Sequence, residues 1–324
     1  MSVISTDCGS SYLKIAVQGN DDVYCQPTLL TEVKPNGTSK KKIAVGGAWF
    51  VGGVEAMHSQ GQIVKDPEIE ADFYGSEKQK RQYTYAFSQM GLEGKQDKLI
   101  FSLPWKEYFS DNQLITKVKE DFKHFEWTTA QGEKKEVIFN DVLVCAQGMG
   151  ALATIADNQD DIIIVEIGSC TVEILACSYD SDSKEYIYRD DLCSNVRDIS
   201  VSTLYQQIMK NVNQNRNTSL KISRSYHDIK KRIHTENSSN QYKFMYKSQE
   251  VNFEEEFLLA KKQFTKELMD KLSFLLGDFF TNCDVVYISG GGQCYIDKDI
   301  WECNKKTSYG SIFDNVVGQL KMVS

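Results

Sequence analysis

One short pattern occurs twice in this chain, and the repetition restricts what the chain can fold into. Near the start, residues 4–6 lead into Asp7-Cys8-Gly9-Ser10-Ser11-Tyr12-Leu13-Lys14. In the middle, the apolar run 162–165 leads into Glu166-Ile167-Gly168-Ser169-Cys170-Thr171-Val172-Glu173-Ile174. Each time a β-type run ends on a carboxylate, glycine and hydroxyl residues follow, and a second β-type run resumes. These residue types suit a phosphate. A carboxylate at a strand end can hold a hydrated divalent metal, glycine lets the backbone approach phosphate oxygens, and Ser or Thr supplies hydroxyl and amide donors. Because the chain resumes as a strand, each turn belongs to a β-hairpin. A Walker loop differs, since its glycine-rich turn opens a helix and ends on Lys-Ser/Thr. Either turn alone also reads as an ordinary Asp/Gly hairpin. Their repetition favours two turns that clamp a nucleotide.

A third element comes late, where the apolar strand 285–288 runs into Ser289-Gly290-Gly291-Gly292-Gln293. Three glycines let backbone pass close to a flat ligand, and a flexible βα turn has the same composition. Between these elements, helices are expected near 77–90, 114–122, 201–212 and 311–322, with strands at 98–103, 162–167 and 172–179. Phe253, Phe257, Leu258, Phe264, Leu268, Leu272, Leu275 and Leu276 mark one long amphipathic helix under a sheet. Glu254-Glu255-Glu256 reads as its first turn, favoured there by the helix dipole. Residues 156–161 form a polar interdomain joint, and 213–219 an Asn-rich surface loop.

The order Asp-x-Gly-Ser, Glu-x-Gly-x-x-Thr, strand-Ser-Gly-Gly-Gly resembles the ATPase superfamily of actin, heat-shock chaperones and sugar kinases. Its phosphate-1, phosphate-2 and adenosine motifs come in this order. Phe101-Ser102-Leu103-Pro104-Trp105-Lys106-Glu107-Tyr108-Phe109 looks like the LPxxxY stretch of the ParM/StbA plasmid-segregation actins. Gly46-Gly47-Ala48-Trp49-Phe50-Val51-Gly52-Gly53 is similar to their early glycine-marked hairpin. The resemblance runs over nearly the whole chain. It implies an α/β chain with the actin-like ATPase fold, two ribonuclease H-like domains flanking a nucleotide cleft. Domain I would be 1–158 with 308–324 returning to it, and domain II 159–307.

The resemblance also implies roles. Asp7 and Glu166 are the expected metal carboxylates, acting on Mg2+ through its waters. Gln147, after the strand 142–146, is the expected water-positioning residue. Gly9, Ser10, Ser11, Lys14, Gly168, Ser169, Cys170 and Thr171 would hold the phosphates, and Gly290, Gly291 and Gly292 the α-phosphate and adenine face. Two departures bear on turnover. Glu166 stands where the family has Asp, which moves the carboxylate by about 1.5 Å, and Cys170 replaces a usual Gly or Thr. The family's ribose and base turn is absent, its place taken by Cys193-Ser194-Asn195-Val196-Arg197-Asp198. Ser225-Tyr226-His227-Asp228-Ile229-Lys230-Lys231, where the family has basic residues near the ribose, reads as a solvated charged helix. Glu173 fits either the acidic residue that closes the second turn or a strand-face carboxylate with a structural partner.

Composition bounds the partners. At 324 residues and 41% hydrophobic, the chain can build one large or two medium domains. A net charge of −8 argues against a broad basic face for DNA. Nine cysteines without C-x-x-C spacing form neither a disulfide framework nor a zinc site, which fits a reducing cytoplasm. His58, His124, His227 and His234 are too dispersed for a ligand set. No basic-then-apolar leader and no run of about 20 apolar residues is present, so membrane insertion is not expected. By resemblance, the expected function is a filament-forming ATPase using ATP or GTP, self-associating into a helical polymer that moves plasmid DNA through a ParR-type DNA-binding adaptor. A non-polymerising nucleotide-dependent scaffold and a metabolite kinase remain as alternatives.

Overall fold

A computed structural model describes residues 2–58, 73–155, 160–216, 233, 241–301 and 306–323. The chain forms two compact units, Met1–Asn158 with Ser311–Ser324, and Gln159–Gly310.

In the first unit, the strands are β1 (Val3–Cys8), β2 (Tyr12–Val17), β3 (Tyr24–Pro27), β4 (Leu30–Val33), β5 (Ile43–Val45), β6 (Ala48–Gly52), β7 (Gly94–Leu103), β8 (His124–Thr129) and β9 (Lys134–Ala146). Its helices up to residue 155 are α1 (Gly53–His58), α2 (Glu77–Met90), α3 (Trp105–Ser110), α4 (Asn112–Asp121) and α5 (Met149–Ile155). The nine strands form one sheet in the order β3-β2-β1-β7-β9-β8-β5-β6-β4. β1, β2 and β3 run antiparallel, and β7 and β9 continue parallel to β1. Alternation in β1 sends Ile4 into a core with Leu13, Ile15, Leu99, Phe101 and the aromatic cluster of Tyr83, Phe87, Phe122 and Phe125. Ser76 caps α2 by accepting from the Gln79 amide, and Gly91 ends it in the left-handed region at φ 66°.

The second unit contains β10 (Ile162–Ile167), β11 (Val172–Asp180), β12 (Glu185–Tyr188), β13 (Ser194–Val196), α6 (Val201–Asn215), β14 (Lys243–Tyr246), β15 (Gln249–Asn252), α7 (Glu254–Leu276), α8 (Asp278–Asn282), β16 (Val285–Ser289), α9 (Lys298–Trp301) and β17 (Thr307–Tyr309). Its main sheet has the order β12-β11-β10-β16-β17, with β13 on β11. β10–β11 and β11–β12 are antiparallel, and β16 and β17 run parallel to β10. This is the arrangement β3-β2-β1-β7-β9 over again. The repeated turn is thus the visible part of a repeated five-stranded sheet. Ile163, Val165, Ile167, Val286 and Ile288 face a core with α6 and α7, where Leu204, Ile208, Phe264, Leu268 and Leu272 are buried. The last helix, α10 (Asp314–Lys321), belongs to the first unit.

Several elements depart from the expected bounds. β7 starts at Gly94, four residues before the expected strand, because its polar first residues pair with the long β9 from Gly94↔Val137 onward. α6 runs on to Asn215. α10 begins at Asp314, since residues 311–313 form a turn closed by the Asp314 carboxylate on the Ser311 amide, 2.6 Å. β17 pairs with β16 and extends the second unit to Gly310, past the expected return at 308. Residues 156–159 of the expected joint, 217–219 of the Asn-rich loop and 225–231, with His227 and His234, lie outside the described residues, as does the His58 side chain. Among the described residues no helix is long and apolar enough to cross a membrane, and eight cysteines are free thiols.

Candidate functional site

Asp7 sits in β1 directly across the hairpin from Lys14. It is 1% exposed, and Lys14 Nζ lies 2.9 Å from its Oδ2. From a residue 140 positions away, Gln147 Nε2 donates to Oδ1 at 3.0 Å. Gln147 is itself buried, in the turn between β9 and α5, where its amide donates to the Leu103 carbonyl at 2.7 Å. The structure therefore brings Asp7, Lys14 and Gln147 together. A carboxylate held between a cation and an amide is fixed in orientation, and each oxygen keeps a lone pair for a further donor.

The first turn is held closed by Gly9 N donating to Tyr12 O at 3.0 Å. Thr28, which the sequence reading did not single out, braces it from β3's end. Its hydroxyl donates to Gly9 O at 2.9 Å and its amide to Ser11 O at 2.8 Å. Ser10 is buried and Ser11 half-buried. Behind the turn lies Cys8, whose Sγ donates to Gln82 Oε1 at 3.6 Å, and burial pushes its thiol pKa up.

Two residues of α10 complete this corner. Asn315 Oδ1 accepts from the Gly148 amide at 3.1 Å, fixing the turn that carries Gln147. Gln319 accepts from Ser5 Oγ at 2.6 Å and donates to Ser102 Oγ at 2.7 Å, and Ser102 donates to Thr6 O at 3.0 Å. Both residues are buried. Their i, i+4 spacing beside Val316 on an otherwise apolar helical face was the available sequence signal.

The second unit closes its turn with the equivalent bond and braces it differently. Gly168 N donates to Thr171 O at 2.8 Å, and a Cβ on Gly168 would lie 2.9 Å from that oxygen, so the turn requires glycine. The Val201 and Ser202 amides of α6 donate to the Gly168 and Ser169 carbonyls at 3.2 and 2.8 Å, and the Ser200 hydroxyl accepts from the Thr203 amide. The first donors of α6 are thus spent on holding the turn. Cys170 Sγ lies 3.9 Å from Ser202 Oγ. Glu166 is 9% exposed and faces Glu173 across the hairpin. Glu173 accepts from Asn195 Nδ2, so the segment 193–198 supplies this carboxylate's structural partner through β13.

Gly290, Gly291 and Gly292 follow β16. Gly290 has φ 82°, and a Cβ there would lie 2.6 Å from Ile167 O; one on Gly292 would lie 2.2 Å from Ile167 Cγ2. Gly292 N also donates to Ile167 O at 2.9 Å. Close packing on β10 thus accounts for two of the three glycines, and Gly291 alone is in open space. The loop and Glu166 are thereby fixed to one strand end. His124 lies elsewhere, paired with Glu136 on the surface.

Among the described residues no three His, Cys, Asp or Glu side chains converge on one point. The donor chemistry of single carboxylates with hydroxyls beside them fits a hydrated magnesium ion, which keeps most of its waters.

Two units with one strand order, each with a hairpin turn carrying a buried carboxylate, define the actin-like ATPase fold. Family models agree. The N-terminal domain of actin-like proteins matches residues 5–150, and the C-terminal domain of the archaeal MreB-like actin homologue matches 164–302. Together the two models span most of the chain, which belongs to the actin-like proteins. It is similar to the archaeal actin homologue Ta0583 (TM-score 0.77, 15% identity, 100% of both chains), also solved in complex with ADP (TM-score 0.75). It is similar to ParM from a 15-stranded filament of Clostridium botulinum (TM-score 0.76, 17% identity, 99% of this chain and 98% of that one). It is also similar to Bacillus thuringiensis ParM with AMPPNP (TM-score 0.65, 14% identity, 99% and 98%). At these identities the likeness establishes the fold. No curated protein sequence matches the chain.

Proposed function

We propose that this chain is a nucleotide-dependent, filament-forming ATPase that moves plasmid DNA through a DNA-binding adaptor of the ParR type. The observation that carries the reading is the buried cluster of Asp7, Lys14 and Gln147, with Gln147 Nε2 3.0 Å and Lys14 Nζ 2.9 Å from the two Asp7 oxygens. An amide donor aimed at a strand-end carboxylate can orient a water without taking its proton fully, and the lysine supplies a cation for phosphate oxygens. We assign the phosphates to Gly9, Ser10, Ser11 and Lys14 and to Gly168, Ser169, Cys170 and Thr171, and the adenine face to Gly290, Gly291 and Gly292. Asp7 and Glu166 would hold magnesium through its waters, and the ion would neutralise phosphate charge.

The ADP in Ta0583 and the AMPPNP in B. thuringiensis ParM support an adenine nucleotide. The C. botulinum ParM filament supports self-association. A repeated head-to-tail contact that does not close gives a helical polymer. The net charge of −8 supports an adaptor, in the cytoplasm, as the DNA-binding partner.

A specific observation also favours a second reading, a non-polymerising scaffold. Glu166 faces Glu173 where Asp7 faces Lys14, so the residue across the hairpin from the second carboxylate is another carboxylate and not a cation. Slow or absent hydrolysis follows if Glu166 is poorly held.

Light scattering with parallel phosphate release separates the two. ATP and magnesium should raise scattering, which decays as phosphate appears, and Asp7→Ala should abolish both. A flat trace with nucleotide bound would remove the filament reading and leave the scaffold.

A further inference from the structure

The repeated sheet allows the two carboxylates to be compared strand by strand. In the first unit, Asp7 on β1 faces Lys14 on β2. On its other side β7 continues past Phe101, the partner of Thr6, to Ser102, whose hydroxyl is fully used by Thr6 O and Gln319. In the second unit the same places are taken by Glu166 on β10, Glu173 on β11 and Ser289 on β16, in register as Glu166↔Glu173 and Glu166↔Ser289. β13 extends the row with Asn195, opposite Glu173. One polar row, Ser289–Glu166–Glu173–Asn195, therefore crosses four adjacent strands. It lies on the sheet face opposite Val165, Ile167 and Ile288, which point into the apolar core.

The row is asymmetrically satisfied. Asn195 holds Glu173. At the other end, Ser289 is 2% exposed and its hydroxyl has no hydrogen-bond partner among the described residues. Buried hydroxyls are rarely left so, and an unmade bond costs about 1–3 kcal/mol. Its neighbour in the row is Glu166, whose carboxyl oxygens can accept another donor beside the contacts it already makes. Adjacent strands lie about 4.8 Å apart, within reach of a serine hydroxyl and a glutamate carboxylate directly or through one water.

We propose that Ser289 is a positioning residue for Glu166: when nucleotide and magnesium bind, its hydroxyl donates to the Glu166 carboxylate and holds it at the metal's hydration shell. In register, Glu173 and not a lysine stands across the hairpin from Glu166, and the Ser289 hydroxyl on β16 is the donor placed beside it, as Lys14 is beside Asp7. This rests on the nucleotide-binding reading above.

The test is calorimetric titration of ADP into the full chain with and without magnesium, for wild type, Ser289→Ala, Ser289→Thr, Glu166→Ala and the Ser289→Ala/Glu166→Ala double variant. Magnesium should tighten ADP binding to wild type. Ser289→Ala should lose about three- to tenfold of that tightening, as one hydrogen bond implies, while metal-free affinity stays within about twofold. Ser289→Thr, which keeps the hydroxyl, should retain the response, and the double variant should match Glu166→Ala. An unchanged magnesium response in Ser289→Ala, or effects of the two sites that simply add, would overturn the proposal and leave nucleotide binding standing. Absence of ADP binding by wild type would remove the functional reading and this one together.

Discussion

Gly150 in α5 and Gly318 in α10 touch backbone to backbone: a Cβ on Gly318 would stand 1.7 Å from the Gly150 carbonyl oxygen, and one on Gly150 would stand 2.0 Å from Asn315 O. No side-chain rotation relieves such an overlap. On helix propensity alone, Gly318→Ala should stabilise α10 by about 1 kcal/mol. Here the helices must separate, and overpacking of this kind costs about 3 kcal/mol or more. The sign decides between the two effects. A urea midpoint for Gly318→Ala at or above wild type would show that the helices do not meet at these glycines.

Separation of α5 and α10 also disturbs Gln147, because Asn315 Oδ1 holds the Gly148 amide. If Gln147 orients the attacking water, Gln147→Ala should lower the rate of phosphate release by about 10²-fold, the lower range for removal of a positioned acid–base group, and leave ADP affinity nearly unchanged. Single-turnover phosphate release beside ADP titration reads both quantities. Equal losses in rate and affinity would instead make Gln147 a residue that merely keeps Asp7 in place.

Stability should fall as pH rises above about 9, the range in which unfolded thiols ionise. Burial pushes the Cys145 thiol up to about 12 and drives those of Cys8 and Cys177 higher still. A folded pKa above the unfolded one means that the folded chain keeps protons the unfolded chain loses. The stabilisation is whole below the unfolded value and lost as pH climbs toward the folded one. Each such thiol contributes a slope of about 1.4 kcal/mol per pH unit in that window. Urea midpoints at pH 7.5 and 10 test the fall, and Cys145→Ala should reduce the difference between them. A flat profile would mean that these thiols are not shielded from water.

What could be read from the sequence was local. The Asp7–Lys14 and Glu166–Glu173 hairpins announce themselves because carboxylate, glycine and hydroxyls lie within a few residues, and the strand after each turn shows its alternation directly. The long helix α7 was legible for the same reason, through its spacing of Phe257, Phe264, Leu268 and Leu272. The braces around the site were not legible. Thr28 meets Gly9 only once β3 lies on β2, and Asn195 meets Glu173 only through β13. The segment 193–198, read as a displaced ribose turn, carries a strand residue whose amide serves a buried carboxylate. Lys14 was read as a phosphate ligand from its place in the turn; its ion pair with Asp7 depends on the β1–β2 register, which composition does not specify.

Gln319 is the extreme case, joined to Ser5 and Ser102 across 314 and 217 positions. It is 1% exposed and also lies 3.4 Å from Asn315 Oδ1. Gln319→Met keeps the volume, leaves the Ser5 hydroxyl without its acceptor and removes one donor each from Ser102 and Asn315, which keep Thr6 O and the Gly148 amide. Each buried group left without a partner costs about 1–3 kcal/mol, so a loss of about 2–4 kcal/mol is expected. Ser5→Ala alone frees the Gln319 carbonyl oxygen and should cost about 1–2 kcal/mol. Because the two changes share one bond, the double variant should be less destabilised than the sum by about 1 kcal/mol. Denaturation midpoints of the four proteins complete the cycle. Strict additivity would mean that Ser5 and Gln319 do not bond, and would detach α10 from β1 as the support of the Gln147 turn.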